Sequence, residues 1–96
     1  MPTEESKLKS QCKDYLKLKG IDYIYHLQGI GSYKGIGDIQ ILWKGKSIFV
    51  EYKAKNNKIS EYQQRFKEMC ERNKIPYWVI RSVEELQTNL KSWKNL

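Results

Sequence analysis

Cysteine, proline and histidine are scarce in this chain: two, two and one among 96 residues. The cysteines, Cys12 and Cys70, stand 58 positions apart with no C-x-x-C between them. A disulfide scaffold and a Cys/His zinc site are therefore excluded, and both thiols read as buried core groups at helical spacings. No apolar run approaches the roughly 18 residues of a membrane helix. The opening Met1-Pro2-Thr3-Glu4-Glu5 lacks the basic and apolar regions of a secretory signal, so a cytoplasmic location, in a bacterial or phage-infected cell, is expected. Repeats, low-complexity stretches and linkers are absent as well. At 11.5 kDa the chain is expected to form one domain, residues 1–96, burying roughly 60–65% of its unfolded surface.

Arginine is the scarce cation. Of 18 basic residues only three are arginine, against 11 acids, for a formal charge of +7 and a pI near 9.4. An excess of this size in a small domain suggests a polyanionic partner. Lysine is a point charge suited to backbone phosphate, whereas reading of guanine edges favours arginine. If the partner is a nucleic acid, the balance favours recognition of shape or backbone over reading of sequence, and a lysine-rich surface that serves solubility alone fits the charge equally well.

What is present reads as α-β-β-β-α-β-α. Thr3 can cap a helix over about residues 4–19, in which Leu8, Cys12, Tyr15 and Leu16 recur at helical steps and Gly20 is a stop. Tyr23 to Leu27 alternates weakly as a strand. The stretch from Gly29 to Gly37 holds four glycines in nine residues and marks a loop or a close backbone approach. It is no dinucleotide or phosphate-loop fingerprint, because a strand rather than a helix follows. Asp38–Trp43 and Ser47–Lys53, rich in β-branched and aromatic residues, form a hairpin about Lys44-Gly45-Lys46. Ser60-Glu61-Tyr62-Gln63 is a capping box opening a helix to about Arg72, with Tyr62, Phe66, Met69 and Cys70 on one face. Tyr77–Ile80 is a short buried strand. Ser82-Val83-Glu84-Glu85 is a second capping box, and Val83, Leu86, Leu90 and Trp93 stripe the last helix. The fold class expected is α/β, a mixed sheet with helices on both faces.

One constellation carries chemistry. Glu51 and Lys53, two apart on a strand, project from one face. Both sit among Phe49, Val50 and Tyr52, where charge is costly unless paired or metal-bound. Counting out from Gly45, Asp38 falls opposite Glu51 to Lys53 within one residue of register. Two carboxylates and a lysine then meet beside the glycine-rich loop. Carboxylate pairs suit Mg²⁺, which polarises a phosphoryl oxygen and acidifies its water, while a neighbouring lysine orients that water. A cross-strand ion pair uses the same residues and remains the competing reading.

Gly35-Ile36-Gly37-Asp38, Glu51-Tyr52-Lys53 and Gln63 early in the next helix, with Phe66 three residues on and the ending Val79-Ile80-Arg81-Ser82-Val83-Glu84-Glu85, resemble the VRR-NUC family of the PD-(D/E)XK nucleases. Gly37 stands where the superfamily name has proline. The resemblance spans nearly the whole chain and implies a restriction-endonuclease-like αβββαβ core with an extra C-terminal helix. It implies Asp38, Glu51 and the Tyr52 carbonyl as ligands of Mg²⁺ or Mn²⁺, Lys53 acting on the attacking water, and Gln63 pointing into the site. It also implies a glutamate on the first helix, for which Glu5 fits best and Glu4 competes. Stand-alone members resemble Holliday-junction resolvases, so the resemblance implies an endonuclease for branched DNA, working as a homodimer and leaving a 5′-phosphate. Lys34, Lys55 and Lys58 flank the site as candidate DNA contacts. A basic DNA-binding module without catalysis, or a phage accessory protein on a nuclease scaffold, are the alternatives. Simpler roles also fit several residues. Gln63 also reads as the capping-box partner of Ser60 alone, and Glu5 as a group that favours the helix dipole alone. His26 reads as a half-buried strand residue, Ser32 and Tyr33 as polar loop, and Trp43, Trp78 and Trp93 as core or dimer contacts.

Overall fold

The computed structural model describes residues 3–94 except Gln28 and Ile30; Ile30 of the glycine-rich stretch and the opening Met1-Pro2 thus lie outside the described residues. In chain order the elements are α1 (Glu4–Leu18), β1 (Asp22–Tyr25), β2 (Ile39–Trp43), β3 (Lys46–Tyr52), α2 (Glu61–Arg72), β4 (Tyr77–Ile80) and α3 (Val83–Lys94). This is the expected order. The four strands form one mixed sheet in sequence order, with β1–β2 and β2–β3 antiparallel and β3–β4 parallel.

Local chemistry sets most of the boundaries. The Thr3 hydroxyl accepts the Ser6 N–H at 3.0 Å. At the other end of α1, the Gly20 N–H reaches the Lys17 carbonyl and the Ile21 N–H reaches the Leu16 carbonyl. With Gly20 at φ +66°, this is a Schellman stop at Leu18, one residue earlier than expected. It buries Ile21 and starts β1 at Asp22, so the strand is displaced from the expected Tyr23–Leu27 toward the helix. The hairpin turn needs only Lys44 and Gly45, both at positive φ (45° and 82°), as a two-residue turn matched to strand twist requires. Lys46 therefore belongs to β3. Ser60 and Gln63 form the reciprocal capping box that opens α2. The expected second box is only half made: the Glu85 N–H donates to Ser82 Oγ at 3.1 Å, but the Glu85 carboxylate accepts from the Arg81 N–H instead.

The sheet has two unlike faces. One carries Ile39, Ile41, Ile48, Val50, Tyr52 and Ile80, which pack with Leu8, Cys12 and Leu16 of α1 and Leu86, Leu90 and Trp93 of α3 in the main core. Trp78 and Trp93 meet edge to face across it, ring centres 6.1 Å apart. The other face carries Phe49, Tyr77 and Val79, packed with Phe66, Met69 and Cys70 of α2. Helices thus cover both faces, as expected. Because α2 packs against β4, the β1–β2 half of its face is left bare: Ile24 and Leu42 share the face of Phe49 by register and are 45% and 41% exposed. Both cysteines are buried and free, and burial pushes the Cys12 thiol up to about 11. No helix among the described residues is long and apolar enough to cross a membrane.

Candidate active site

The end of β3 lies beside the start of β2, and the two carboxylates meet there. Asp38 falls just before β2 rather than opening it as expected. Its N–H bonds the Val50 carbonyl at 2.8 Å, while its Oδ2 accepts the Tyr52 N–H at 2.7 Å. Asp38 therefore takes, with its side chain, a β3 donor that a longer β2 would have taken with its backbone. This fixes the carboxylate against Glu51 and keeps the Tyr52 amide satisfied.

Glu51 is only 5% exposed. Burial, then the adjacent Asp38 charge, push its carboxyl up to about 7, against a smaller opposing pull from Lys53. The Glu5 charge adds to the rise. Gln63 Nε2 donates to Glu51 Oε1 at 2.7 Å, and Lys53 Nζ lies 3.7 Å from the same oxygen. Gln63 performs two tasks with one amide: its Oε1 accepts the Ser60 N–H at 2.7 Å, closing the capping box, and its Nε2 reaches Glu51. The two readings of Gln63 open in the sequence are thus not exclusive. The capping geometry itself aims the amide.

The first helix brings two further groups. Glu5 is half-buried and its Oε2 stands 3.6 Å from Lys9 Nζ; Glu4 is exposed. Lys9 Nζ also stands 3.4 Å from Asp38 Oδ1. Lys9 was not anticipated. Its signal in the sequence is the four-residue step from Glu5, which places both on one helix face, but nothing in the sequence aims that face at Asp38. Tyr77 was missed in the same way. Its hydroxyl donates to the Gly35 carbonyl at 3.4 Å, and burial with the charges of Glu51 and Asp38 holds its proton on.

The glycine-rich loop closes over the N-terminus of α2. Gly35 has φ +85°, and a Cβ there would lie 2.2 Å from the Tyr62 carbonyl oxygen. Only glycine allows that approach. Lys34 Nζ reaches the Tyr62 hydroxyl at 3.5 Å and lies 4.6 Å from the ring centre. Lys55 and Lys58 are exposed on the loop after β3, beside the site but without contact to its carboxylates. Arg81 organises that loop: Nη1 donates to the carbonyls of Ala54 at 2.9 Å and Asn57 at 2.6 Å. His26 bonds Gln40 at 3.1 Å and stacks obliquely near Phe49, so it serves packing rather than the site.

The donor set fits a hydrated divalent cation. Among the described residues no three His, Cys, Asp or Glu side chains close into a ready cage. The donors that the structure brings together are the carboxylates of Asp38 and Glu51, and so few protein ligands suit an ion that keeps several waters. Two carboxylates are held together in a largely dry place, one of them pushed up to about 7 chiefly by burial, with one lysine beside each: Lys9 by Asp38 and Lys53 by Glu51. A carboxyl pair whose charged form is opposed by burial is the kind of arrangement that an added cation would stabilise.

A mixed sheet in αβββαβ order, with an acid before β2, an acid and a lysine at the end of β3 and a glutamine opening α2, defines the restriction-endonuclease-like class. The profile of the VRR-NUC domain matches residues 5–84, and the chain belongs to the VRR-NUC family, a family of nuclease domains. A solved structure described as "VRR_NUC domain" superposes with a TM-score of 0.77 at 24% identity, covering 93% of this chain and 96% of that one. At this identity the superposition bears on the fold alone. No curated protein sequence matches the chain.

Proposed function

We propose that this chain is a Mg²⁺- or Mn²⁺-dependent endonuclease that hydrolyses phosphodiester bonds of branched DNA such as four-way junctions. The observation that carries the reading is the buried Glu51, set against Asp38 and held by Lys53 and Gln63. A plain ion pair would not need a second carboxylate. Asp38, Glu51 and the Tyr52 carbonyl hold the ion. Bound there, it supplies Lewis-acid polarisation of the phosphate and a more acidic water. Lys53 orients the attacking water and offsets the charge that builds on the phosphoryl oxygens. Gln63 holds the Glu51 carboxylate in one orientation, the one in which it would bind the ion. Glu5, through Lys9, sets the charge around Asp38. In-line attack leaves a 5′-phosphate. Lys34, Lys55 and Lys58 hold flanking phosphates. Cutting both strands of a junction asks for two sites, which a symmetric homodimer supplies.

Purified protein with Mg²⁺ is expected to nick a four-way junction. Asp38→Asn and Lys53→Ala are each expected to cut the rate by about two orders of magnitude or more, with the circular-dichroism melting curve still cooperative. Salt-dependent junction binding with no nicking in Mg²⁺ or Mn²⁺ would overturn the catalytic reading and leave a DNA-binding module.

A further inference from the structure

Beyond Gln63, two cavities continue away from the carboxylates along α2. The first, about 500 Å³, runs from Ser60 and Gln63 to Lys34 and Tyr62. The second, about 470 Å³, shares Lys34 and Tyr62 with it and carries on past Tyr33 and Arg65 to Arg72. Together they form one groove that starts at a candidate catalytic residue and follows the helix for about 15 Å.

The groove has a particular chemistry. Positions 62, 65, 66, 69 and 72 of α2 form one helical stripe and all face it, whereas the acids Glu68 and Glu71 fall between them in the sequence and Glu61 precedes them. The chain uses arginine three times against fifteen lysines. Two of those three, Arg65 and Arg72, line this groove, and the third, Arg81, is committed to backbone carbonyls. Arg65 pairs with Glu61; Arg72 has no acid partner among the described residues. Two tyrosines lie open between the cations: Tyr62 is 49% exposed and Tyr33 60%. Lys34 and Arg65 both stand against the Tyr62 ring, at 4.6 and 5.9 Å from its centre. Tyr33 is propped edge-on against Phe66, with ring centres 5.6 Å apart, and its hydroxyl meets the Met69 sulfur. Neither ring is needed to fill the core. Solvent-exposed aromatic rings set among guanidinium and ammonium groups are what a single-stranded nucleic acid binds: bases stack on the rings, here in place of the cations that rest on Tyr62, and phosphates take up those cations. A duplex hides its base faces and would use the cations alone.

We propose that this groove binds an unpaired stretch of the DNA strand leaving the active site, with bases stacked on Tyr62 and Tyr33 and phosphates on Lys34, Arg65 and Arg72. The assignment deepens the nuclease reading and rests on it for its biological sense, but it is tested without catalysis. In EDTA, binding of a fluorescent single-stranded oligothymidylate is compared with that of a duplex of equal length by anisotropy. Tyr62→Ala is expected to weaken single-strand binding about tenfold and duplex binding far less. Tyr62→Phe, which keeps the ring, is expected to retain the single-strand affinity, and its melting curve guards against a folding artefact. Arg72→Ala is expected to lower the salt slope of single-strand binding by about one. Equal loss on both DNAs in Tyr62→Ala, or no loss on either, would overturn the groove. A nuclease that nicks junctions while failing this test keeps its active site and loses only this surface. A chain that passes it without nicking in Mg²⁺ retains the groove and loses the nuclease reading.

Discussion

Glu51 is the residue on which charge, burial and chemistry meet. Its side chain cannot ionise freely, because burial and the Asp38 charge oppose it. Its carboxyl stands at about 7 in the fold against 4.5 as its ordinary value. A carboxyl raised on folding favours the protonated native state. Its contribution is therefore complete below 4.5 and is lost as pH rises through about 7. Metal-free protein is expected to lose stability over that window at up to about 1.4 kcal/mol per pH unit. Urea melts at several pH values read the slope. Glu51→Gln is expected to flatten it and to raise the melting midpoint of metal-free protein above pH 7. Added Mg²⁺ is expected to raise the midpoint of the wild type there and to leave Glu51→Gln nearly unmoved, since the ion binds the ionised form that low pH removes. A midpoint indifferent to both pH and Mg²⁺ would contradict the cation site.

At the scale of the element, α2 is the part that connects stability to the site. Ser60 ends the loop from β3, accepts the Gln63 N–H at 3.2 Å, and receives the Gln63 side chain on its own N–H. Ser60→Ala is expected to cost about 1 kcal/mol of stability as a lost N-cap. It is also expected to lower the nicking rate more than that loss explains, because the same amide then has less to hold it toward Glu51. Comparing kcat with the melting midpoint across Ser60→Ala, Ser60→Thr and wild type separates the two effects. Threonine can still cap, so both quantities are expected to return toward wild type. The loop on the opposite side of α2 has no such tolerance. Gly35 presses its backbone on the Tyr62 carbonyl, and this contact joins the glycine-rich stretch to the helix end that carries Gln63.

For the whole molecule, the unequal covering of the sheet has the largest consequence. The main core lies between the sheet and α1 with α3, while α2 shelters only the β4 side of the other face. Ile24 and Leu42 remain open there, on a sheet whose β1 edge has no further strand among the described residues. Exposed apolar side chains next to a free edge favour pairing with a second copy. Light scattering is expected to give twice the 11.5 kDa chain mass, and Ile24→Lys with Leu42→Lys is expected to shift it toward the monomer. A monomeric wild type at micromolar concentration would remove the dimer from the nuclease scheme.

The order of elements was legible from the chain alone because it rests on local rules. Thr3 and Ser60 cap, Gly20 and Gly45 take positive φ, and strand alternation separates Glu51 from Tyr52. Those rules also placed Asp38 opposite the Glu51–Lys53 pair, since counting outward from Gly45 in a short turn fixes register to within one residue. The slips were local too: Gly20 stopped α1 early, and Glu85 turned to Arg81 instead of Ser82. What only the tertiary structure decided is whatever depends on elements distant in sequence. That α1 turns Glu5 and Lys9 toward Asp38, that Tyr77 backs the site, and that Tyr62, Arg65 and Arg72 line a groove continuous with Gln63 all follow from how helices lie on the sheet. Helical periodicity says which residues share a stripe. Only packing of one stripe against a particular partner says where it faces.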